Sequence, residues 1–297
     1  MDGELGFLFS LLVSGLSIGM MYALIALGFV LVYKATDAIN FAQGEFVMLA
    51  GFICATTLVY ELPLWLALLT TVVLMVAFSF ALERIVLRPL LGRPVVAVIM
   101  ATIGLAAMLR GLPPITIGAQ TKTIPLPIGD EPVEFLGTSL PQIQILGIVV
   151  TILCLAAFTW FFTKSRMGVA MRAVADNQQV AMAMGINVER YFAIAWAMAG
   201  VVAALGGIIW GSMLGVDTQL ALVGLKVFPV VILGGLDSIV GAVVGGLIVG
   251  VVESVAAGYL DPVVGGGTKD FAPYVLMIVA LMFKPYGLFG KRRIERI

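Results

Sequence analysis

The sequence predicts an all-α fold, a polytopic membrane helical bundle of eight to nine transmembrane helices with some spans short or broken. Three observations carry this. Of the 297 residues, 61% are hydrophobic and only 11% are charged, and the mean hydropathy of +1.13 lies far from that of a soluble domain. Uncharged apolar runs recur at lengths near the roughly 20 residues that cross hydrocarbon as a helix. Between them stand compact clusters of Arg, Lys, Asp, Glu, Pro and Gly that read as turns at the two faces of a bilayer. The whole chain, 1–297, reads as a single transmembrane domain.

Composition also removes function classes. The 17 basic and 17 acidic residues leave a formal charge of +0, so no global field points to nucleic acid. With no histidine, Ser-His-Asp and Cys-His catalysis and imidazole zinc sites are gone. Cys54 and Cys154 both fall in apolar segments without CxxC spacing, and read as small buried hydrophobes. No metal ligand set and no catalytic residue is expected. The start, Met1, Asp2, Gly3 and Glu4, is acidic where a secretory signal carries Lys or Arg, and predicts a permanent anchor with its amino terminus outside.

Residues 5–33 hold no charge and make the first span, with Lys34 and Asp37 at its inner end. A polar stretch follows, Ile39, Asn40, Phe41, Ala42, Gln43, Gly44 and Glu45, and then a short outward span over 46–60. Its polar groups are costly in hydrocarbon, so a water-filled path, a partner side chain or an interfacial turn has to hold them. Glu61, Leu62 and Pro63 turn the chain into a third span over 63–82. Arg84, Arg88 and Arg93, with Pro89 and Pro94, mark a cytoplasmic connector by the positive-inside rule. Residues 95–109 span only if Arg110 snorkels outward or the segment bends, and Gly111, Leu112, Pro113 and Pro114 predict an end there.

Residues 115–140, with Pro125, Pro127, Gly129 and Pro132 among Lys122, Asp130, Glu131 and Glu134, form an acid-rich outer loop, either ordinary or a docking surface. The fifth span, 141–162, ends at Lys164, Ser165 and Arg166, and 164–190 is the largest inner loop. Ala and Met over 169–184 predict a short helix there, with Gly185 placed to end it in a left-handed conformation. Residues 191–214 return outward, and Gly207, Gly211 and Gly215 lie four apart on one face, allowing another backbone to approach. Residues 220–233, interrupted by Lys226 and Pro229 and closed by Gly234 and Gly235, read as a broken helix. Residues 239–258 go outward with Gly241, Gly245, Gly246 and Gly250 again at close-packing spacing. The string Gly265, Gly266, Gly267, Thr268, Lys269 is no Walker A motif, since the order GxxxxGK[ST] is absent. Residues 271–283 are the last short span, and Lys291, Arg292, Arg293 and Arg296 form an inner basic tail. The tally is nine crossings, with eight as the competing count.

Three segments carry a family resemblance. Asn40 to Phe46 followed by Met48, Leu49, Ala50 and Gly51 is the first; Gly168 to Asn177 with Ala181 to Asn187 is the second. Val231, Ile232, Leu233, Gly234, Gly235, Leu236, Asp237 and Ser238 followed by Gly241 is the third. Together, in this order and in a chain of this length, they resemble the permease subunits of branched-chain amino acid ABC importers. That resemblance implies a second permease subunit, homologous or identical, two cytoplasmic ATPase subunits that use ATP, and a periplasmic solute-binding protein. No cofactor is expected on the chain itself, and the expected location is a bacterial inner membrane with the carboxyl terminus in the cytoplasm. It maps an ATPase-coupling role onto Arg172, Ala173, Asp176, Asn177, Ala181 and Gly185. Arg172 and Asp176, one turn apart, are placed to pair with each other or reach across. An amphipathic helix resting on the bilayer is the alternative for that loop.

The solute path is expected along Asn40, Gln43 and Glu45, with Gly234 and Gly235 at the second interruption. Residues 46–51 and 230–235 look alike, six apolar-to-glycine residues after an interruption, and such pairs point to a central path in transporters. Lys226 and Glu253 invite an ion pair; snorkelling of each to the outer interface is the preferred expectation. Leucine, isoleucine and valine are the default solutes, with urea, short amides or aromatic acids as alternatives. A stand-alone secondary transporter or channel is the rival of another class.

Overall fold

The computed structural model describes residues 3–90, 93–128, 131–135 and 138–290; the acidic start at Met1 and Asp2, residues Leu91, Gly92, Gly129, Asp130, Leu136 and Gly137, and the basic tail from Lys291 lie outside them. Helices α1 (Gly3–Thr36), α2 (Gln43–Val59), α3 (Leu64–Leu82) and α4 (Val95–Thr116) come first. A short antiparallel hairpin follows, β1 (Val133–Phe135) with β2 (Thr138–Leu140), in the loop after α4. Then come α5 (Gln142–Lys164), α6 (Arg166–Asp176), α7 (Gln178–Ala183), α8 (Val188–Leu214), α9 (Leu222–Gly234), α10 (Ile239–Tyr259), α11 (Asp261–Val264) and α12 (Thr268–Phe283). Among the described residues, 6 helices are long and apolar enough to cross a membrane, and the shorter apolar helices Gln43–Val59 and Thr218–Gly234 coincide with the two interrupted segments.

Helix starts follow local chemistry. Pro63 and Pro94 stand just before α3 and α4, where a missing N–H costs nothing. Ser165, Asn177, Asn187 and Ser238 cap α6, α7, α8 and α10, each side chain accepting from the N–H three residues on.

Several boundaries differ from expectation. The connector after α3 remains helical, as a π turn over Glu83–Leu87 and a 3-10 turn over Arg88–Leu90. Glu83 does not force a stop, because its buried carboxylate is paired with Arg88 at 3.0 Å. Helix α4 does not end at Arg110 or at the prolines; it runs to Thr116 with Pro113 and Pro114 inside its last turns. Proline already holds the helical φ, and the carbonyl of Pro113 accepts from Ile117 and Gly118 to close the turn. The helix expected over 169–184 is split in two, since Asn177 adopts φ −159 and ψ 108 to cap α7. Gly185 does take the expected left-handed conformation, φ +80.

The chain packs as two compact units: one drawn from Met1–Ala26, Ile128–Ile152 and Lys226–Ile297, the other from Leu27–Pro127 and Leu153–Leu225. In the first, helices meet backbone to backbone. A Cβ at Gly19 would come 2.5 Å from the carbonyl oxygen of Gly246, and one at Gly250 would overlap that of Gly15. Gly241 and Gly245 of α10 press in the same way on Gly234 and Val230 of α9.

In the second unit close backbone contacts at glycine are joined by aromatic packing. Phe46 of α2 is fully buried against Phe78 and Trp196, at ring separations of 5.5 and 6.0 Å. The glycine series of α8 divides: Gly207 lies on the α2 backbone and Gly211 on Val216 and Ile124, while Gly215, at φ +82, ends the helix. Arg88 also pairs with Glu189 at 3.0 Å, tying the connector after α3 to the start of α8. Elsewhere in this unit the backbones of Lys122 and Val216 form a bridge, and Thr121 donates to Asp217.

Candidate functional site

The polar stretch folds as the turn into α2 and the first turn of that helix. Asn40, Gln43 and Glu45 are buried inside the protein. Asn40 holds the turn into the helix: its Oδ1 accepts from the Ala42 N–H at 3.0 Å, and its Nδ2 donates to Gln43 Oε1 at 3.2 Å. The next residues of the first helical turn address three different neighbours. Gln43 Nε2 packs on Gly28 of α1, where any Cβ would overlap it. Gly44 packs on the carbonyl of Ala221 and the backbone of Gly224, at the start of the second short helix. Glu45 forms an ion pair with Arg110 of α4. Thr102, buried on the same helix as Arg110, donates to Ile99 at 2.9 Å and reaches the carbonyl of Ile39 at 3.5 Å. The amino-terminal turn of α2 is therefore a hub between α1, α4 and α9.

Electrostatically the hub is balanced. The carboxylate of Glu45 sits in the first turn of a helix, where the dipole favours an anion, and it has a cation beside it. Gln43 Nε2 is a buried donor without a hydrogen-bond partner, an arrangement that costs free energy unless an acceptor arrives. Amides and one ion pair can bind, orient or exclude polar solutes. Among the described residues, no group of three or more His, Cys, Asp or Glu could hold a metal ion.

Gly234 and Gly235 belong to the other compact unit. There they form the break at the end of α9: Gly235 takes φ +105, Gly234 lies against Gly241, and Leu288 and Phe289 donate to the carbonyls of Leu233 and Gly234. The break sits at these glycines, while Pro229 stays within the helix.

Lys226 does not snorkel alone. Its Nζ lies 3.5 Å from Glu253 of α10 and 2.7 Å from Asp270 of α12. Packing of α12 on α10 supplies Asp270, a partner that a hairpin of α9 and α10 leaves out, and pairing is cheaper than separate exposure to lipid.

On the loop 164–190, Arg172, Ala173, Asp176, Asn177 and Gly185 are not buried. Ala181 is: it is 3% exposed, packed with Val174, Val188 and Phe192, and it holds α6 and α7 onto α8. Around the accessible polar residues stand exposed Val169, Val180, Met182 and Met184.

Sequence reasoning missed Arg110 as the partner of Glu45, and Gly28 and Gly224 as the spaces that admit the hub. Arg110 was visible as a charge in an apolar run, but its partner lies 65 positions away.

Residues 11–281 match the family described as branched-chain amino acid transport system / permease component. The chain belongs to that family. It is 33% identical to the high-affinity branched-chain amino acid transport system permease protein BraD of Pseudomonas aeruginosa, over 96% of this chain and 97% of that one. It is 30% identical to LivH of Escherichia coli, which carries the same description, over 96% of each chain. A probable branched-chain amino acid transport permease protein LivH of Methanocaldococcus jannaschii is 29% identical over 90% of this chain and 88% of that one. The protein is thus a multi-pass membrane permease, and its apolar helices are the spans of such a subunit.

Proposed function

We propose that this permease is the transmembrane subunit of an ATP-binding cassette importer that moves branched-chain or other neutral, zwitterionic amino acids across a bacterial inner membrane. The observation that carries the reading is the match along 96% of the chain to permeases of high-affinity branched-chain amino acid systems. In this reading the chain works with a second permease subunit, two cytoplasmic ATPases that hydrolyse ATP, and a periplasmic binding protein. It performs transport and no chemistry of its own.

Two tethers support the orientation. The Arg88–Glu189 pair gathers the connector after α3 and the loop 164–190 on one side, and both are rich in Arg and Lys, so that side is cytoplasmic. The Lys122–Val216 bridge gathers the acidic loop and the turn after α8 on the other. Alternating crossings of α1, α2, α3, α4, α5, α8, α9, α10 and α12 then put the amino terminus outside and the carboxyl terminus inside.

The α6–α7 platform supports coupling. Arg172, Ala173, Asp176, Asn177 and Gly185 present polar groups among exposed Val and Met, a surface suited to seat in a groove of an ATPase. In this reading the hub of Asn40, Gln43 and Glu45 meets the solute, and the break at Gly234 and Gly235 serves its own unit as a hinge. Co-expression with the partner subunits and reconstitution tests this. L-leucine uptake should require ATP and the binding protein, the chain alone should be inert, and Asp176→Trp with Gly185→Trp should abolish ATPase co-purification. Ion-driven accumulation of a solute by the chain alone would overturn the reading.

A further inference from the structure

The flank of α4 beside Arg110 does not suit lipid. Arg110 stands six residues before Thr116, about 9 Å inside the end of the helix. Its side chain is 44% exposed, yet it does not run to the near interface; it turns to Glu45, whose side chain is 3% exposed. Only Nη2 of the guanidinium is engaged among the described residues, which leaves the other N–H donors open. On the neighbouring surface of the helix, small residues alternate with exposed Ile103, Met108 and Leu112. Gly104, Ala107 and Gly111 are exposed, and a Cβ at Gly104 or Gly111 would meet nothing within 4 Å. A half-open cation beside small exposed residues, within an apolar helix, calls for a polar occupant, because hydrocarbon against it would be expensive.

We infer that Arg110 and Glu45 are a solute-reading pair that engages the opposite charges of a zwitterionic amino acid. The α-carboxylate takes the open N–H donors of Arg110 in the forked geometry that guanidinium favours. The α-ammonium takes the carboxylate of Glu45. A zwitterion exchanges the pair's internal bond for two of the same kind, so it enters without stranding a charge, whereas an anion or a cation strands one. The open space at Gly104 and Gly111 leaves room for the body of the solute, against the apolar side chains of Met108 and Leu112.

The inference rests on the amino-acid reading above, and the two fail separately. The test uses the full assembly in proteoliposomes with labelled L-leucine, comparing Arg110→Gln, Glu45→Gln and the double variant. Arg110→Gln should lower folded yield, because Glu45 is left buried without a counter-charge. The double variant should recover yield and binding-protein-stimulated ATP hydrolysis, yet import at least 10-fold less L-leucine. A merely structural brace predicts instead that the double variant imports within twofold of the parent, and that result overturns the pair.

A second measurement is independent of those variants. With Cys54 and Cys154 replaced by alanine, Ala107→Cys should react with a membrane-impermeant methanethiosulfonate, and L-leucine should slow the reaction; no labelling in the turning-over assembly overturns the inference. A parent assembly that imports no amino acid refutes the functional reading, while import surviving in the double variant refutes the pair alone.

Discussion

The two groups of charge within the apolar helices are solved differently. Glu45 and Arg110 are matched one to one, the carboxylate enclosed and the guanidinium half open. Around Lys226, one ammonium serves two carboxylates, and these differ sharply: Glu253 is 11% exposed and Asp270 61%. In the first group every charge is indispensable to its partner. In the second, the cation is indispensable and the outer carboxylate is spare. Burial, more than distance, sets what each member is worth, since the enclosed charge is the one that cannot turn to water.

The largest break in that comparison is Lys226→Met, which leaves Glu253 enclosed with no cation. A loss of about 3–5 kcal/mol is expected for a stranded buried charge, read as a drop in thermal midpoint and in detergent-stable yield. Adding Glu253→Gln should return most of it. Next comes the glycine seam of the same unit: Gly246→Val places a Cβ 2.5 Å from the Gly19 carbonyl and should cost about 1–3 kcal/mol, with the same readout. Asp270→Asn tests the claim of redundancy, and because the side chain is mostly exposed the change should stay below about 1 kcal/mol.

The smallest effect is local and pH-dependent. The hydroxyl and N–H of Thr268 donate to Asp261 and hold its carboxyl below its ordinary value of 3.8. A depressed carboxylate stabilises its turn above that value and loses the contribution as pH falls through the lowered one. Hydrogen exchange at Thr268 should therefore stay protected at about pH 5 and quicken only in stronger acid. Asp261→Asn should remove the pH dependence.

Much of this architecture was legible because crossing a bilayer is a requirement on composition: an uncharged run of sufficient length has few other uses, and α1, α5, α8 and α10 fall where such runs fall. The turn at Gly185 and the break at Gly234 and Gly235 were also readable, since glycine there answers a local conformational need. What escaped was pairing across long separations. Arg110 looked like the end of a span because a lone charge in an apolar run suggests one, and only the fold supplies Glu45. Asp270 was hidden for the same reason. Ala181 was misplaced to the outer surface because its small size suits both close docking and close internal packing, and sequence does not separate the two. Asn177 was read as a surface residue of one helix, though its side chain caps the next.

The backbone seam between α10 and the first part of α1 carries a mechanical consequence. Gly15, Gly19, Gly246 and Gly250 leave no layer of rotatable atoms between the two rods. A displacement of one has no rotamers in which to dissipate, so it arrives at the other undiminished. These helices should travel as a single stiff strut, and the compliance required by a working cycle has to come from joints such as Gly235.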